Sequence, residues 1–209
     1  MNITLFGGAF NPPHLGHLIV IHQALELIPG IDELWILPCY QHTFLKDLAP
    51  ANHRLEMSRF LVGNLSPDIK SRVRTCPIEI EKKLSGETYE ALQKLRSERA
   101  YLQHAMNLLD HDSSFILHYS FLMGTDQLKN FKKWGNWEKL LKEMPFYIYP
   151  RAGFRNSLTF PNMTLLKSDT QVITNISSTL IRERIKKGLP IAHLLPASVL
   201  KYLRVNKLY

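Results

Sequence analysis

Asn2-Ile3-Thr4-Leu5-Phe6-Gly7-Gly8-Ala9-Phe10-Asn11-Pro12-Pro13-His14-Leu15-Gly16-His17 is the stretch on which the fold turns. Residues Asn2 to Phe6 alternate and are rich in β-formers, so they predict a first strand. Two glycines and two prolines forbid its continuation and make Gly7 to Pro13 a tight loop. A helix is expected to open near His14 to His17. Its apolar positions Leu18, Ile21, Leu25 and Ile28 follow helical spacing, and Pro29-Gly30 stops it. Glu33 to Leu37 predicts a second strand, ended by Pro38. Strand, loop, helix, strand is the opening of an α/β fold with a doubly wound parallel sheet.

Outward from there, a long loop from Pro38 to Pro50 carries His42, Lys46 and Asp47. A helix is predicted over Ala51 to Leu65, with Leu55, Leu61, Val62 and Leu65 inward. Arg72 to Ile80 reads as a strand, Thr88 to Leu109 as one long helix, and Phe115 to Met123 as a strand closed by Gly124-Thr125-Asp126. Short helices follow at Leu128 to Trp134 and Trp137 to Lys142. Pro145 to Tyr149, Met163 to Leu166 and Gln171 to Thr174 read as short strands. Ser177 to Lys187 and Ala197 to Val205 form a small helical C-terminal part. Arg151 to Pro161 resembles a linker more than a domain boundary, so residues 1–209 are expected to form one domain.

The 209 residues are 45% hydrophobic and 21% charged, which is ordinary for a globular protein. No apolar run approaches the roughly 20 residues that span a bilayer, and no basic leader precedes an apolar core. Cys39 and Cys76 are far apart and lack metal-type spacing, which suits a reduced cytoplasmic setting. The formal charge is +8. A basic chain binds nucleic acid or handles small polyanions such as ATP; the second is favoured here, because no groove-reading element is present.

Four constellations could carry chemistry. In the Gly7–His17 stretch, glycines let the backbone approach a phosphate, and the helix behind offers free N–H groups and a positive dipole end. His14 and His17, three apart, can point at one anion and donate to oxygens that gain charge during phosphoryl or nucleotidyl transfer. It is neither the Walker pattern nor the dinucleotide fingerprint. In Ile176-Ser177-Ser178-Thr179-Leu180-Ile181-Arg182, a capped helix start with hydroxyls and an arginine one turn inside makes a second polyphosphate clamp; alone, it reads equally as plain capping. Gly124-Thr125-Asp126 places a carboxylate at a strand's end, to meet a ribose hydroxyl or simply to cap a helix. Trp134 and Trp137 can stack on a heterocycle or pack in the core.

Together these residues resemble the nicotinate (or nicotinamide) mononucleotide adenylyltransferase family, within the His-x-Gly-His nucleotidyltransferase group. GGAFNPPHLGH resembles the family's glycine-rich loop, and HRLEM its R-x-x-M segment at Arg54 and Met57. GTDQL resembles its Gly-x-Asp element, the two tryptophans an aromatic pair, ISSTLIR its second signature and KLY its usual ending. The resemblance implies a Rossmann-like sheet with both signatures at the C-terminal strand edges. It implies His14 and His17 as the catalytic contacts to the ATP phosphates, with Gly7, Gly8, Ala9, Phe10, Ile176, Ser177, Ser178 and Arg182 also binding ATP and Gly124 and Asp126 beside the adenosine. On the acceptor side it implies Lys46, or alternatively His42, at the phosphate, and Thr88 and Trp134 at the pyridine ring. Mg²⁺ would ride on the ATP phosphates with no dedicated protein site. The family's Ser-Tyr-Thr stands here as Gly86-Glu87-Thr88. Open backbone N–H groups at that turn favour nicotinate mononucleotide as acceptor, with Glu87 expected to face solvent. The alternatives are nicotinamide mononucleotide, another acceptor of the same group, or a non-catalytic nucleotide- or RNA-binding module. The oligomeric state is left open.

Overall fold

The structure, a computed structural model, describes residues 1–41, 47–106, 116–155 and 160–209. Among the described residues, six strands form one parallel sheet: β1 (Asn2–Gly8), β2 (Glu33–Pro38), β3 (Val73–Thr75), β4 (His118–Gly124), β5 (Phe146–Tyr149) and β6 (Met163–Leu165). They lie in the order β3-β2-β1-β4-β5-β6, and every adjacent pair is parallel. The chain winds outward from β1 in both directions, which leaves a crevice at the C-terminal ends of β1 and β4, where the strand order reverses.

Helices cover both faces, so the strands bury residues of both parities. Ile3, Leu5, Trp35, Leu37, Phe121 and Phe146 pack on one side with helices α5 (Thr88–Ser97) and α6 (Arg99–Ala105). Phe6, Leu34, Ile36 and Leu122 pack on the other with α1 (Leu15–Leu27) and the outer part of α2 (Ala51–Gly63). A third cluster joins Met57 of α2 to α8 (Ser178–Lys186) and α9 (Ala197–Val205), through Ile181, Val199 and Leu203. The small helical C-terminal part is therefore seated on α2.

Three expectations are corrected. One helical turn, α3 (Pro67–Lys70), precedes β3; the stretch Arg72 to Ile80 is a strand only over Val73–Thr75, and after Pro77 it turns into a second single turn, α4 (Ile78–Glu81). Proline has no N–H for the ladder, and Ile78 and Glu79 are buried by the turn instead. The long helix breaks at Glu98 (φ −104°, ψ 38°) into α5 and α6, and Leu109 lies outside the described residues, as does Phe115 before β4. Gln171 to Thr174 forms no strand. Its backbone is held by side chains, with Val172 N–H donating to Gln23 Oε1 at 3.2 Å and the Tyr149 hydroxyl donating to Val172 O at 2.5 Å, so a ladder partner is not needed.

Candidate active site

The crevice holds a cavity of about 280 Å³. Its floor is the end of β1, Gly7-Gly8-Ala9, beside Met123 and Gly124 at the end of β4. Two helix starts open onto it. One is α1, with His14 as N-cap and His17 at the third helical position. The other is α8, with Ser177 as N-cap. Ser177 Oγ accepts the Leu180 N–H at 3.2 Å, and Ser178 Oγ donates to Pro12 O at 2.8 Å, which binds the second signature to the first loop. Free N–H groups of two helices and a glycine loop converge on one volume, the arrangement that phosphate oxygens require.

His14 is 2% exposed, and its Nδ1 has no hydrogen-bond partner. Its backbone N–H donates to His17 Nδ1 at 3.0 Å, and the two rings stack with centroids 3.7 Å apart. Burial, and after it the Arg151 guanidinium, holds the His17 imidazole down to about 3. Burial, His17 and Arg151 likewise hold His14 well below its ordinary value. Both rings are therefore neutral at physiological pH and can offer an N–H, but not a positive charge, to a ligand.

Arg151 escaped the sequence reading, which placed it in a linker. It lines the cavity directly after β5. Its Nη2 donates to Ile176 O at 3.1 Å, its backbone N–H donates to Thr125 Oγ1 at 2.9 Å, and Nε lies 4.0 Å from Asp126 Oδ1. Gly124 permits this: a Cβ there would stand 2.2 Å from Asp126 Oδ1 and 3.0 Å from Arg151 Cγ. An arginine at a strand's C-terminal end in a doubly wound sheet was the available signal. Glu79 was also missed, because its segment read as strand. It lines the cavity yet is only 4% exposed, and its Oε2 has no partner. Burial pushes its carboxyl up to about 8.

Of the expected site residues, Gly7, Gly8, Ala9, His14, His17, Thr88, Gly124, Asp126, Trp134, Ser177 and Ser178 all line this cavity. Phe10 does not; its ring is buried against Phe6 and His17 at a backbone φ of 48°. Ile176 contributes its carbonyl, to Arg151. Arg182 stands beside the cavity, donating to Asn11 O at 2.8 Å. His42 and Lys46 lie outside the described residues. The tryptophans divide: Trp134 walls the cavity, edge-on to Phe121, while Trp137 packs against Phe131 and Phe160. Arg54, of the R-x-x-M segment, is 1% exposed and donates to the carbonyls of Ala9, Cys39, Tyr40 and Ala49. It clasps the first loop to the exit of β2. Glu87 does not face solvent as expected. Its carboxylate turns to the cavity and lies against Gly135, because Gly135 leaves the space a side chain would take.

A family model described as cytidylyltransferase-like matches residues 5–184. A Salinibacter ruber protein named probable nicotinate-nucleotide adenylyltransferase is 31% identical over 100% of this chain and 98% of its own. The Bacillus subtilis nicotinate-nucleotide adenylyltransferase is 30% identical over 99% of this chain and 97% of its own. Among solved structures, Plasmodium falciparum nicotinic acid mononucleotide adenylyltransferase complexed with NaAD superposes with a TM-score of 0.77 at 24% identity, over 100% of this chain and 97% of that one. At that identity the likeness is one of fold.

Proposed function

The chain belongs to the nicotinate-nucleotide adenylyltransferase family within the cytidylyltransferase-like group, and we infer that it transfers the AMP moiety of ATP to nicotinate mononucleotide, giving deamido-NAD and pyrophosphate. The observation that carries this reading is the meeting of His14 and His17 with Ser177 and Ser178, from opposite ends of the sequence, on one cavity at the strand-order reversal. The place in metabolism is NAD biosynthesis.

The reaction is a direct in-line displacement. A phosphate oxygen of the mononucleotide attacks the α-phosphorus of ATP, the bond to the bridging oxygen breaks, and pyrophosphate leaves. The attacking phosphate is already a nucleophile, so positioning and charge stabilisation supply the catalysis. The neutral imidazoles of His14 and His17 donate to the phosphate oxygens. Arg151 supplies the fixed positive charge for the leaving group, and the N–H groups at the start of α8, with Ser177 and Ser178, hold the outer phosphates. Gly124 and Asp126 take the adenosine. Thr88 and Trp134 take the pyridine ring, and Lys46 or His42 the acceptor's phosphate. Mg²⁺ enters as part of the substrate. Imidazoles, hydroxyls and backbone N–H groups suit phosphate oxygens, whereas Mg²⁺ takes hard oxygen ligands and keeps several waters.

We take residues 1–209 as one nucleotidyltransferase unit working in the cytoplasm. Cys39 and Cys76 are free and buried, and no helix among the described residues is long and apolar enough to cross a membrane. The test is pyrophosphate release with MgATP and a panel of acceptors: the two pyridine mononucleotides, phosphopantetheine and buffer alone. Release that depends on a pyridine mononucleotide is expected. Release with phosphopantetheine alone, or with no acceptor at all, overturns the reading.

A further inference from the structure

Glu87 is the N-cap residue of α5, yet its side chain does not cap that helix. It reaches across to the turn behind Trp134. A Cβ built on Gly135 would stand 2.0 Å from Glu87 Oε2 and 2.7 Å from Oε1, so both oxygens lie against the Gly135 backbone. Gly86, Glu87, Thr88, Trp134 and Gly135 wall the same part of the cavity. Among the described residues, none of the ion pairs includes Glu87. Cations along α5 and α7 (Trp137–Glu143) are engaged elsewhere: Lys94 pairs with Glu98, Arg96 pairs with Glu143, and Lys139 lies over the Tyr89 ring.

Two fields compete at this wall. The open N–H groups at the start of α5 amount to about half a positive charge and attract a carboxylate. Glu87 adds a whole negative charge at the same helix end. Inside a walled cavity like charges repel far more strongly than in water. The balance disfavours an incoming carboxylate and suits a neutral group that carries its own N–H donors.

We propose that Glu87 sets the acid-versus-amide selectivity of the acceptor site and opens it to nicotinamide mononucleotide alongside nicotinate mononucleotide. This rests on the reaction inferred above. A carboxamide NH₂ donates to Glu87 while its carbonyl accepts from the α5 N–H groups. A pyridine carboxylate offers no donor, and one of its oxygens meets Glu87 charge to charge. Selectivity here is a difference between two affinities set by one repulsive element.

The experiment compares wild type, Glu87→Gln and Glu87→Ala, each checked by thermal melting. Calorimetry gives Kd and pyrophosphate release gives kcat/KM for both mononucleotides at saturating MgATP. The wild type is expected to use the two within roughly tenfold of one another, and both variants to raise the acid-to-amide ratio by at least about tenfold, through Kd and not kcat, as removal of one like-charge contact requires. An unchanged ratio in both variants, or a ratio that moves toward the amide, overturns the proposal. Turnover of the acid alone by wild type also overturns it and leaves the adenylyl transfer standing. A chain that binds neither mononucleotide and releases no pyrophosphate overturns both.

Discussion

The His14 backbone N–H donates to Nδ1 of His17, and this one bond fixes how the second ring works. With Nδ1 as acceptor, the proton of the neutral His17 ring sits on Nε2. The ring is locked from behind and free to donate in front. Phe6 and Phe10 pack against it and hold its plane. His17→Ala removes this donor, together with the acceptor of the His14 backbone N–H, and leaves the rest of α1 in place. Circular dichroism should stay native while pyrophosphate release falls by roughly a hundredfold or more, as when one oxyanion-hole donor is lost. Near-normal turnover would move the reaction centre elsewhere.

Arg151 carries the positive charge that the neutral histidines do not. Arg151→Ala should lower kcat by at least roughly a hundredfold, the scale of a charged transition-state contact. Arg151→Lys should recover only part of it, since an ammonium lacks the planar fork that lets one guanidinium hold Ile176 O and still present aligned donors to a phosphate. Full activity in the alanine variant would leave Arg151 as a brace for the Ile176 segment and nothing more.

Arg182 reaches the site indirectly. Its guanidinium holds Asn11 O, and Asn11 Oδ1 accepts the Tyr209 hydroxyl at 2.6 Å and the Ala49 N–H at 3.0 Å. The far end of the first loop therefore depends on it. Arg182→Ala should weaken ATP more than the mononucleotide, because the proposed reaction sets the outer phosphates, which only ATP carries, at this end of the cavity. Titrations of both ligands against wild type and variant decide it; equal losses would place Arg182 in the fold alone.

The first strand, loop and helix were legible because glycine and proline punctuate them so sharply, and the start of α8 because serines cap helices. The strands after β1 were legible where an apolar run lacked competing local signals. Arg72 to Ile80 misled because Ile78 and Ile80 alternate as a strand would, while Pro77 decided otherwise. Arg151 and Glu79 are single residues whose meaning comes from the strand end or turn that carries them. The direction of Glu87 was not legible at all, since it is set by the absence of a side chain at Gly135, a contact made only by the fold.

Arg54 should matter to stability more than any other charged residue. It donates at 2.6 to 3.0 Å to Ala9 O, Cys39 O, Tyr40 O and Ala49 O, and is 1% exposed. Arg54→Ala strands these carbonyls, and at about 1–3 kcal/mol for each one left buried and unpaired the loss should exceed about 3 kcal/mol. Arg54→Lys should rescue little, because one ammonium cannot reach four acceptors. Chemical denaturation midpoints measure it; a loss under about 1 kcal/mol would mean the carbonyls find water.

Stability should also show a maximum near pH 6.5, set by buried groups with opposite signs. His14 and His17 titrate near 6.5 when unfolded but well below it when folded, His17 at about 3. The unfolded chain takes up two protons that the folded chain refuses, so their contribution is whole above 6.5 and is lost as pH falls. Glu79 does the reverse: its carboxyl moves from 4.5 to about 8 on folding. The folded chain keeps a proton that the unfolded chain releases, so this contribution fades as pH rises above 4.5 and is gone by about 8. Between 4.5 and 6.5 two histidines outweigh one glutamate, and stability rises with pH. Between 6.5 and 8 Glu79 acts alone and stability falls. Glu79→Gln keeps the shape and removes the titration, so the falling limb should flatten while the rising limb steepens. Urea midpoints at pH 5, 6.5 and 8 for both proteins suffice. A wild type equally stable at 6.5 and 8 would show that Glu79 is ionised in the folded chain; a Glu79→Gln protein that still loses stability between them would assign the falling limb to other groups.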